Sequence, residues 1–197
     1  MNNDIIVISG FSGAGKDTIA KSIHDLYGFN FVVSHSTRPM RPNESQGDPY
    51  IFISDNEMCS MAFNNELVEG RCYKTIDGNW FYAVHKNQIK NNKQYVVVLD
   101  VLGYREFKKH FGNRVFGVFI DVSNEDRLER ASSQRLDFNV DEWNRRLKDD
   151  MKQFNNEKIT SEYEYIIKNN NYKETLQNIS SIINERNHIK NKRGKKC

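Results

Sequence analysis

Short apolar runs alternate with amphipathic segments along the chain. Residues 5–9, 95–100 and 115–121 are almost continuously apolar and too short for helices, as expected of buried strands in a parallel sheet. A smaller run at 31–34 predicts another strand. Apolar residues at helical spacing follow most of these runs, and the last such pattern covers 176–183. The alternation indicates buried strands connected through helices.

A glycine-rich segment with one lysine follows the first apolar run. Its spacing from Gly10 to Lys16 is G-x-x-x-x-G-K, and an amphipathic pattern starts directly afterwards. Strand, tight loop and helix in this order are typical of a P-loop, whose backbone N–H groups converge on a phosphate at the positive end of a helix. The residues predicted to bind ATP here are Gly10, Phe11, Ser12, Gly13, Ala14, Gly15, Lys16, Asp17 and Thr18.

Asp17 departs from the usual loop, because a Ser or Thr hydroxyl that ligates Mg²⁺ normally stands at its position. Thr18 follows one place later. A carboxylate there has two opposite consequences. It holds Mg²⁺ directly or through water, or it repels a triphosphate when no metal lies between them. We take Asp17 as a candidate metal ligand, so the predicted cofactors are ATP and Mg²⁺.

The three prolines of the chain all lie in one segment, from Ser34 to Phe52, which predicts an irregular loop. Arg38 and Arg41 stand three residues apart in it, and Tyr50 follows them. Two arginines in a stiff loop can bind a phosphate monoester through forked, charge-assisted hydrogen bonds. A surface loop with solvated arginines is the alternative, and the residues alone leave both open.

The same segment resembles a known family. The pattern S-x-x-T-R-x-x-R-x-x-E-x-x-G-x-x-Y-x-F, behind a G-x-S-G-x-G-K loop, is similar to guanylate kinase, which transfers the γ-phosphate of ATP to GMP or dGMP. The resemblance implies an α/β P-loop three-layer fold with a central parallel sheet, an inserted nucleoside-monophosphate-binding region and a helical lid. The implied boundaries are a domain at 1–185, with its core at 1–33 and 94–185, the insertion at about 34–88 and the lid at about 127–145.

The resemblance also implies an acceptor site for the monophosphate. Arg38, Arg41 and Tyr50 would grip the GMP phosphate, and Glu44 would steady the two arginines. Guanine presents N1–H and N2–H₂ side by side, which an ionised carboxylate such as that of Glu69 accepts well. The implied substrate-binding residues are Ser34, Arg38, Arg41, Glu44, Tyr50, Glu69, Tyr82 and Asp100.

Three further positions depart from the family pattern. Ala83 and Val84 replace a glycine and a hydroxyl residue that help to read the guanine O6. We therefore expect either looser base discrimination or a substitute role for His85. Val98 replaces the first acid of a D-x-D-x-x-G pattern whose second acid is retained. We hypothesise that Asp17 supplies the negative charge that Val98 removes from the metal site.

Arginines in the implied lid are expected to fold over the phosphates. Phosphoryl transfer needs alignment and charge stabilisation more than covalent chemistry, and Arg135 and Arg146 are the residues expected to stabilise the transferring group. Arg127 and Arg145 are expected on solvated helix faces. After the last strand, the resemblance places Asn169 at the border of the ATP site.

Charge and cysteine content bear on compartment and partners. The chain carries 29 basic and 26 acidic residues, and six of the basic residues lie without an acid in 186–197. This basic tail is expected to be a flexible, solvated terminus rather than an RNA contact. Three cysteines without metal-ligand spacing, and no signal or membrane-spanning pattern, predict a cytoplasmic protein with no membrane or nucleic acid partner.

Other interpretations of the same residues give alternative functions. Ribose 1,5-bisphosphate phosphokinase shares the G-K-D-[ST] variant of the loop, and a deoxynucleoside monophosphate kinase of broadened specificity is nearer to the pattern. A non-catalytic guanylate kinase-like binding module is the third alternative, against which the intact glycine loop and Lys16 argue. The expected activity is transfer of the ATP γ-phosphate to GMP or dGMP.

Overall fold

The computed structural model describes residues 4–134, 138–154 and 162–194. Within these ranges the chain forms nine strands and six α-helices. The strands are β1 Ile5–Gly10, β2 Asn30–Phe31, β3 His35–Ser36, β4 Ile51–Phe52, β5 Leu67–Thr75, β6 Gly78–His85, β7 Tyr95–Val98, β8 Val115–Asp121 and β9 Tyr165–Lys168. The helices are α1 Lys16–Tyr27, α2 Asp55–Phe63, α3 Val101–Phe111, α4 Asn124–Gln134, α5 Val140–Gln153 and α6 Tyr172–Gly194.

A five-stranded parallel sheet forms the centre of the fold, with strand order β2-β7-β1-β8-β9. The middle strand, β1, pairs with β7 on one side and β8 on the other. Its residues Ile5 to Ile8 are at most 1% exposed, because helices cover both faces of the sheet. This double burial explains the uninterrupted apolar runs of the sequence. The predicted α/β fold with a central parallel sheet is confirmed.

Helices make the central sheet the middle of three layers. Side chains of β1 alternate between the two faces, and Ile5 and Val7 pack with Phe107 of α3 on one of them. Ile6 and Ile8 pack with residues of α1 and α6 on the other face. Burial of apolar area on both sides therefore determines which helix faces point inwards.

A smaller sheet with strand order β4-β3-β6-β5 is inserted in the chain between β2 and β7. β5 and β6 form an antiparallel hairpin that closes at Thr75 and Gly78. Next to this sheet, α2 starts at a reciprocal cap, in which Ser54 and Glu57 each accept a hydrogen bond from the other's backbone N–H. All of these elements lie within the segment 34–88 that the resemblance implies to be an insertion.

β2 ends at Phe31, earlier than its apolar run predicts. The N–H of Val32 still donates to Val96 O at 2.9 Å. The side-chain amide of Gln88 then takes both backbone groups of Val33, accepting from the N–H at 3.1 Å and donating to the C=O at 2.9 Å. The prediction of a strand at 31–34 is therefore wrong after Phe31. Val32 keeps one hydrogen bond to the neighbouring strand, but the side chain of Gln88 rather than a strand satisfies the peptide groups of Val33.

The last helix, α6, continues to Gly194. At its residue Arg186, the guanidinium carbon lies 4.3 Å from the centre of the Phe116 ring, and Nη2 is 3.4 Å from Asp4 Oδ1. Residues 186–194 belong to this helix, and the flexibility predicted for the basic tail at 186–197 stays a prediction. Among the helices of the described ranges, none is long and apolar enough to cross a membrane.

Gly117 lies in the middle of β8, against two stacked tyrosine rings. The centroids of Tyr104 and Tyr163 are 4.6 Å apart, with 18° between the ring planes. Glu164 accepts hydrogen bonds from the Gly117 N–H at 2.7 Å and from the Tyr104 hydroxyl at 2.8 Å. A Cβ atom on residue 117 would lie 2.6 Å from Tyr163 Cδ1 and 2.9 Å from Tyr104 Cζ. A side chain therefore does not fit at this position.

Gly117→Ala is expected to lower the free energy of unfolding by about 1–3 kcal/mol, because the added methyl group must displace packed aromatic rings. Denaturant unfolding followed by circular dichroism measures this loss. Gly70→Ala on β5 is the matched control, since a Cβ there meets its nearest atom at 3.4 Å and no loss is expected. Equal stability of the two variants would contradict the packing described at Gly117.

Candidate active site

One cavity of about 770 Å³ lies at the carboxyl ends of β1 and β7. Open α/β sheets bind ligands at this edge, because the loops that leave the strands diverge there. The loop before α1, the inserted sheet and the helices α4 and α5 line the cavity. Its charged and polar lining residues include Ser12, Lys16, Asp17, Thr18, Ser34, Arg38, Arg41, Glu44, Tyr50, Arg71, Tyr73, Tyr82, Asp100, Arg130, Glu142, Arg145, Arg146, Asp149 and Asp150.

The loop between β1 and α1 bends through glycines in the left-handed conformation. Gly13 and Gly15 have φ angles of 80° and 82°, which glycine adopts without the steric cost of a Cβ atom. Both line the cavity, as does Gly10. Phe11 packs instead against core ring Phe119, and Ala14 is fully buried. The loop thus turns part of its backbone towards the cavity and anchors two side chains in the core.

Lys16 is the first residue of α1, and its Nζ donates to the carbonyl oxygen of Phe11 at 2.9 Å. Asp17 and Thr18 follow in the first turn and line the same cavity. The helix N-terminus carries partial positive charge, and its first N–H groups have no partners within the helix. A lysine, a helix N-terminus and loop amides therefore form an anion-binding site at this end of the cavity.

Asn169 lies behind the loop rather than in the cavity lining. Its Nδ2 donates to Ala14 O at 2.9 Å, and its Oδ1 accepts from the hydroxyl of Thr175 at 3.0 Å. The residue is 6% exposed. Asn169 thus connects the loop to the start of α6, and its predicted contact with ATP stays a prediction.

Arg127 is buried, so its predicted position on a solvated face is wrong. Its Nη1 donates to Ser12 O at 3.1 Å, and its guanidinium carbon lies 4.5 Å from the centre of the Phe11 ring. The same Nη1 is 4.0 Å from Asp150 of α5, which accepts from the Ser12 N–H at 2.7 Å. One sequence signal could have indicated that this helix face is buried. Apolar Ala131 stands four residues after Arg127, on the same face, and it is buried as well.

A buried ion pair organises the proline-rich loop. Arg38 donates to both carboxylate oxygens of Glu44, at 2.7 and 2.5 Å, and Glu44 also accepts from the Arg41 N–H at 2.9 Å. The Arg38 guanidinium lies 5.1 Å from the ring centres of Tyr50 and Phe52. Burial would raise the pKa of the Glu44 carboxyl, but these hydrogen bonds hold it below its usual value. The arginine is therefore fixed before any ligand arrives.

Three tyrosine rings connect this loop to the far end of the cavity. Tyr50 and Tyr82 have centroids 5.3 Å apart, and Tyr82 and Tyr73 have centroids 5.6 Å apart. Burial, and next the carboxylate of Asp17, raise the pKa of the Tyr50 hydroxyl. Tyr50 is therefore a neutral hydrogen-bond donor at physiological pH, and Asp17 lies close enough to act on it electrostatically.

Arg71 lies at the far end of the cavity and was not anticipated from the motifs. Its Nη2 is 2.8 Å from Glu69 Oε2, and its Nη1 contacts Asp100. Arg71 and Asp100 line the cavity, whereas Glu69 is 5% exposed and lies outside the lining. The sequence could have indicated this position, because Arg71 stands two residues after Glu69 in β5 and residues two apart share a face of a strand. The predicted roles of Glu69 and Asp100 in reading the base stay predictions.

His85 lies outside the cavity lining. Its Nδ1 accepts from the Asn87 N–H at 3.0 Å, and its Nε2 is 3.4 Å from Glu66. The side chain therefore caps the short 3₁₀ turn after β6, and its suggested substitute role in reading the base stays a prediction. Ala83 and Val84 are fully buried.

Arginines of α4 and α5 reach the cavity from the side of the implied lid. Arg146 and Arg145 both donate to Glu142, at 2.8 and 2.7 Å between Nε and the carboxylate. Burial acts in the opposite direction, but these hydrogen bonds lower the pKa of Glu142 to about 2. Arg145 lines the cavity, so its predicted solvated position is wrong. Arg135, the other arginine expected to stabilise the transferring group, lies outside the described residues.

Candidate metal ligands are few at this site. Asp17 and Thr18 line the cavity beside Lys16, and Val98, which stands in place of an acid, lines it as well. Among the side chains of the described ranges, no three of His, Cys, Asp and Glu form a group that could hold a metal ion. A metal bound here would therefore have few protein ligands, and phosphate and water oxygens would complete its coordination.

A family model and curated relatives identify the same family. The family model described as "Guanylate kinase" matches residues 2–186. The guanylate kinase of Campylobacter jejuni (strain RM1221) is 29% identical over 189 residues, which cover 93% of this chain and 89% of the relative. The guanylate kinase of Thermotoga maritima is 30% identical over 193 residues, which cover 93% of this chain and 87% of the relative.

A solved structure shows the same fold. The crystal structure of guanylate kinase from Anaplasma phagocytophilum superposes with a TM-score of 0.68 at 24% identity, covering 93% of this chain and 86% of that chain. The family match spans both the loop before α1 and the proline-rich loop that meet in the cavity. This chain therefore belongs to the guanylate kinase family, whose members are ATP-dependent nucleoside monophosphate kinases.

Proposed function

We propose that this protein transfers the γ-phosphoryl group of ATP to GMP or dGMP, giving ADP and GDP or dGDP. The observation that supports this is one cavity with two groups of cations in its lining. Lys16 and the helix N-terminus form one group, and Arg41 lies with the clamp of Arg38, Glu44 and Tyr50 in the other. Two anionic nucleotides that must meet end to end need such charge at both phosphates.

The donor phosphates are assigned to the loop before α1. Backbone N–H groups between Gly10 and Lys16 would surround the β-phosphate, and the Lys16 ammonium would exchange the Phe11 carbonyl for the β- and γ-phosphate oxygens. Asn169 and Arg127 hold this loop from behind, through Ala14 O and Ser12 O. The loop shape is thus present before ATP binds, which reduces the ordering cost of binding.

Asp17 and Thr18 are the residues that would hold Mg²⁺ on the protein side. Carboxylate and hydroxyl oxygens suit this hard cation, and kinases bind it through one or two protein ligands together with substrate phosphates. When bound, Mg²⁺ neutralises part of the charge on the phosphates during transfer. Asp17 also offsets the loss of an acid at Val98, as the sequence suggests.

The acceptor phosphate is assigned to Arg38, Arg41, Tyr50 and Tyr82, and the base to the end of the cavity near Ser34, Asp100 and Glu69. An oxygen of the acceptor phosphate forms a bond to the γ-phosphorus while the bond to the β–γ bridging oxygen breaks. Because that acceptor is already an oxyanion, the step needs no general base. Arg146, with Arg135, would stabilise charge on the moving group from the lid and help to exclude water.

We further propose that the reaction belongs to purine nucleotide metabolism in the cytoplasm. Cys59 and Cys72 are free and exposed thiols. Exposed unpaired thiols fit a reducing compartment, where structural disulfides do not persist.

Assays of ADP release with different acceptors test the proposal directly. GMP and dGMP are expected to support turnover, because their phosphates fit the arginine clamp and their bases reach the far end of the cavity. Parallel reactions contain AMP, CMP, UMP and ribose 1,5-bisphosphate at the same concentration. Activity with ribose 1,5-bisphosphate alone would identify a ribose 1,5-bisphosphate phosphokinase instead. Turnover of several deoxynucleotides would identify a deoxynucleoside monophosphate kinase of broadened specificity. No turnover with any acceptor would favour a non-catalytic binding module.

Lys16→Ala is expected to lower kcat by about 10²–10³-fold, because a cation that stabilises the transferring phosphate is lost. Binding of GMP, measured by calorimetry, is expected to stay within about twofold of the unmodified protein, since Lys16 serves the donor end. Lys21→Ala on the exposed face of α1 is the matched control. Equal losses of kcat and GMP affinity in Lys16→Ala would show that the two ends of the cavity are misassigned.

Glu44→Gln is expected to raise the KM for GMP about tenfold or more, because a charge-assisted hydrogen bond that positions Arg38 is worth roughly 1.5–3 kcal/mol. The KM for ATP is expected to change little. Steady-state kinetics with each substrate varied in turn separates these effects, and Glu129→Gln on the exposed face of α4 is the control. A rise confined to the KM for ATP would contradict the acceptor role of this loop.

A further inference from the structure

A carboxylate of α5 binds the loop before α1. Asp150 Oδ2 accepts a hydrogen bond from the Ser12 N–H at 2.7 Å, although 138 residues separate the two in the chain. Both residues line the cavity, and the Asp150 side chain is 16% exposed. A carboxylate repels phosphate oxygens, so Asp150 is unsuited to bind ATP directly. Its contact with Ser12 indicates a different role.

Arg127 of α4 offsets the charge of Asp150 at this contact. Its Nη1 lies 4.0 Å from Asp150 Oδ2 and donates to Ser12 O at 3.1 Å. One side chain of α4 and one of α5 therefore bind the two backbone groups of the same loop residue. Because their charges are opposite, the two side chains hold the loop without adding net charge beside the proposed phosphate site.

Aromatic side chains join α5 to the loop on either side of Asp150. A Cβ on Gly13 would lie 3.3 Å from Trp143 Cη2, so Trp143 packs against the glycine. Phe154, directly after α5, has its ring centroid 5.2 Å from that of Phe11. Positions 143, 150 and 154 share one face of a helix, and they contact loop residues 13, 12 and 11 in turn. The helix thus lies along three consecutive loop residues.

Arg146 stands between these contacts, three residues after Trp143 and four before Asp150. Four residues correspond to about 6 Å along a helix. Arg146 lines the cavity, and its Nε donates to Glu142 at 2.8 Å. Burial raises the pKa of the Tyr50 hydroxyl, and Arg146 acts against this rise, so Arg146 also lies within electrostatic reach of the proposed acceptor site. The contact of α5 with the loop therefore determines where this guanidinium stands between the two proposed phosphate sites.

We propose that Asp150 is a positioning residue for Arg146. By accepting from the Ser12 N–H, Asp150 holds α5 against the loop at the distance from which Arg146 reaches the phosphates bound there. The inference rests on the proposed function, because that function assigns Arg146 to the transferring phosphoryl group. Stabilising the charge on that group requires placement to within about 1 Å, and a hydrogen bond between loop and helix supplies this precision.

A double-mutant cycle with Asp150→Ala and Arg146→Ala tests the positioning. Arg146→Ala is expected to lower kcat with GMP about 10²-fold. Asp150→Ala is expected to lower kcat about tenfold and to change the KM for GMP less than about twofold, since the acceptor site is intact. The double variant is expected to lose no more than about 10²-fold, because Asp150 acts only through Arg146. A loss of about 10³-fold, the product of the two single losses, would overturn the proposal.

The same cycle measured on ATP binding separates this inference from the proposed function. In calorimetry with ATP and no acceptor, Arg146→Ala is expected to bind about tenfold and Asp150→Ala about threefold more weakly, and the double variant about as weakly as Arg146→Ala. Tighter ATP binding by Asp150→Ala would show that Asp150 blocks the phosphate site, and would overturn the proposal. Absence of GMP turnover by the unmodified protein would count against the proposed function alone, because ATP binding needs no acceptor.

Rescue by a conservative variant distinguishes positioning from loss of structure. Asp150→Asn keeps an oxygen that accepts from the Ser12 N–H, so its kcat is expected to stay within about threefold of the unmodified protein. An Asp150→Asn protein as impaired as Asp150→Ala would overturn the proposal. Asp141→Ala, which removes an exposed acid from the first turn of α5, is the control and is expected to leave kcat unchanged.

Thermal melting shows whether each variant is folded. Asp150→Ala is expected to fold, because Arg127 keeps hydrogen bonds to Ser12 O and to the side chain of Asn124. If it does not fold, Asp150→Ser takes its place in both cycles, since the shorter serine side chain cannot reach the Ser12 N–H but remains polar beside Arg127. The same losses are expected of Asp150→Ser, and losses that multiply with those of Arg146→Ala would overturn the proposal in that variant too.

Discussion

Pairing of buried arginines with internal carboxylates is the interaction on which the cavity depends. Arg38 is held by Glu44, Arg71 by Glu69 and Asp100, and Arg127 lies beside Asp150. So many cations around one cavity would repel each other without these acids. The pairs hold each guanidinium in place. A site built for two anionic nucleotides is thereby folded before either arrives.

The central sheet sets where these pairs meet. β1 and β7 are adjacent and parallel, so the loop after Gly10 and the helix start at Asp100 leave the sheet at the same edge. The inserted sheet brings Arg38 and Arg71 over that edge from the opposite side. The fold thus sets the distance between the two proposed phosphate sites, and the side chains supply their charge.

Local sequence patterns predicted much of this arrangement. The apolar runs predicted the buried strands, and the glycine spacing together with Lys16 predicted the sharp loop between β1 and α1. These patterns failed where contacts with residues distant in the sequence determine the local structure. β2 ends early because Gln88 bonds to Val33, and Arg127 is buried because Ser12 and Asp150 lie around it. No pattern within a window of sequence contains partners that are tens of residues away.

The hydrogen bond from Asn169 to Ala14 joins positions 155 residues apart. During synthesis, the loop near the start of the chain leaves the ribosome long before the residue that braces it. In the nascent chain, Ala14 O of this loop therefore lacks the Asn169 side chain that braces it until β9 has joined the edge of the sheet and Thr175 has docked on Asn169.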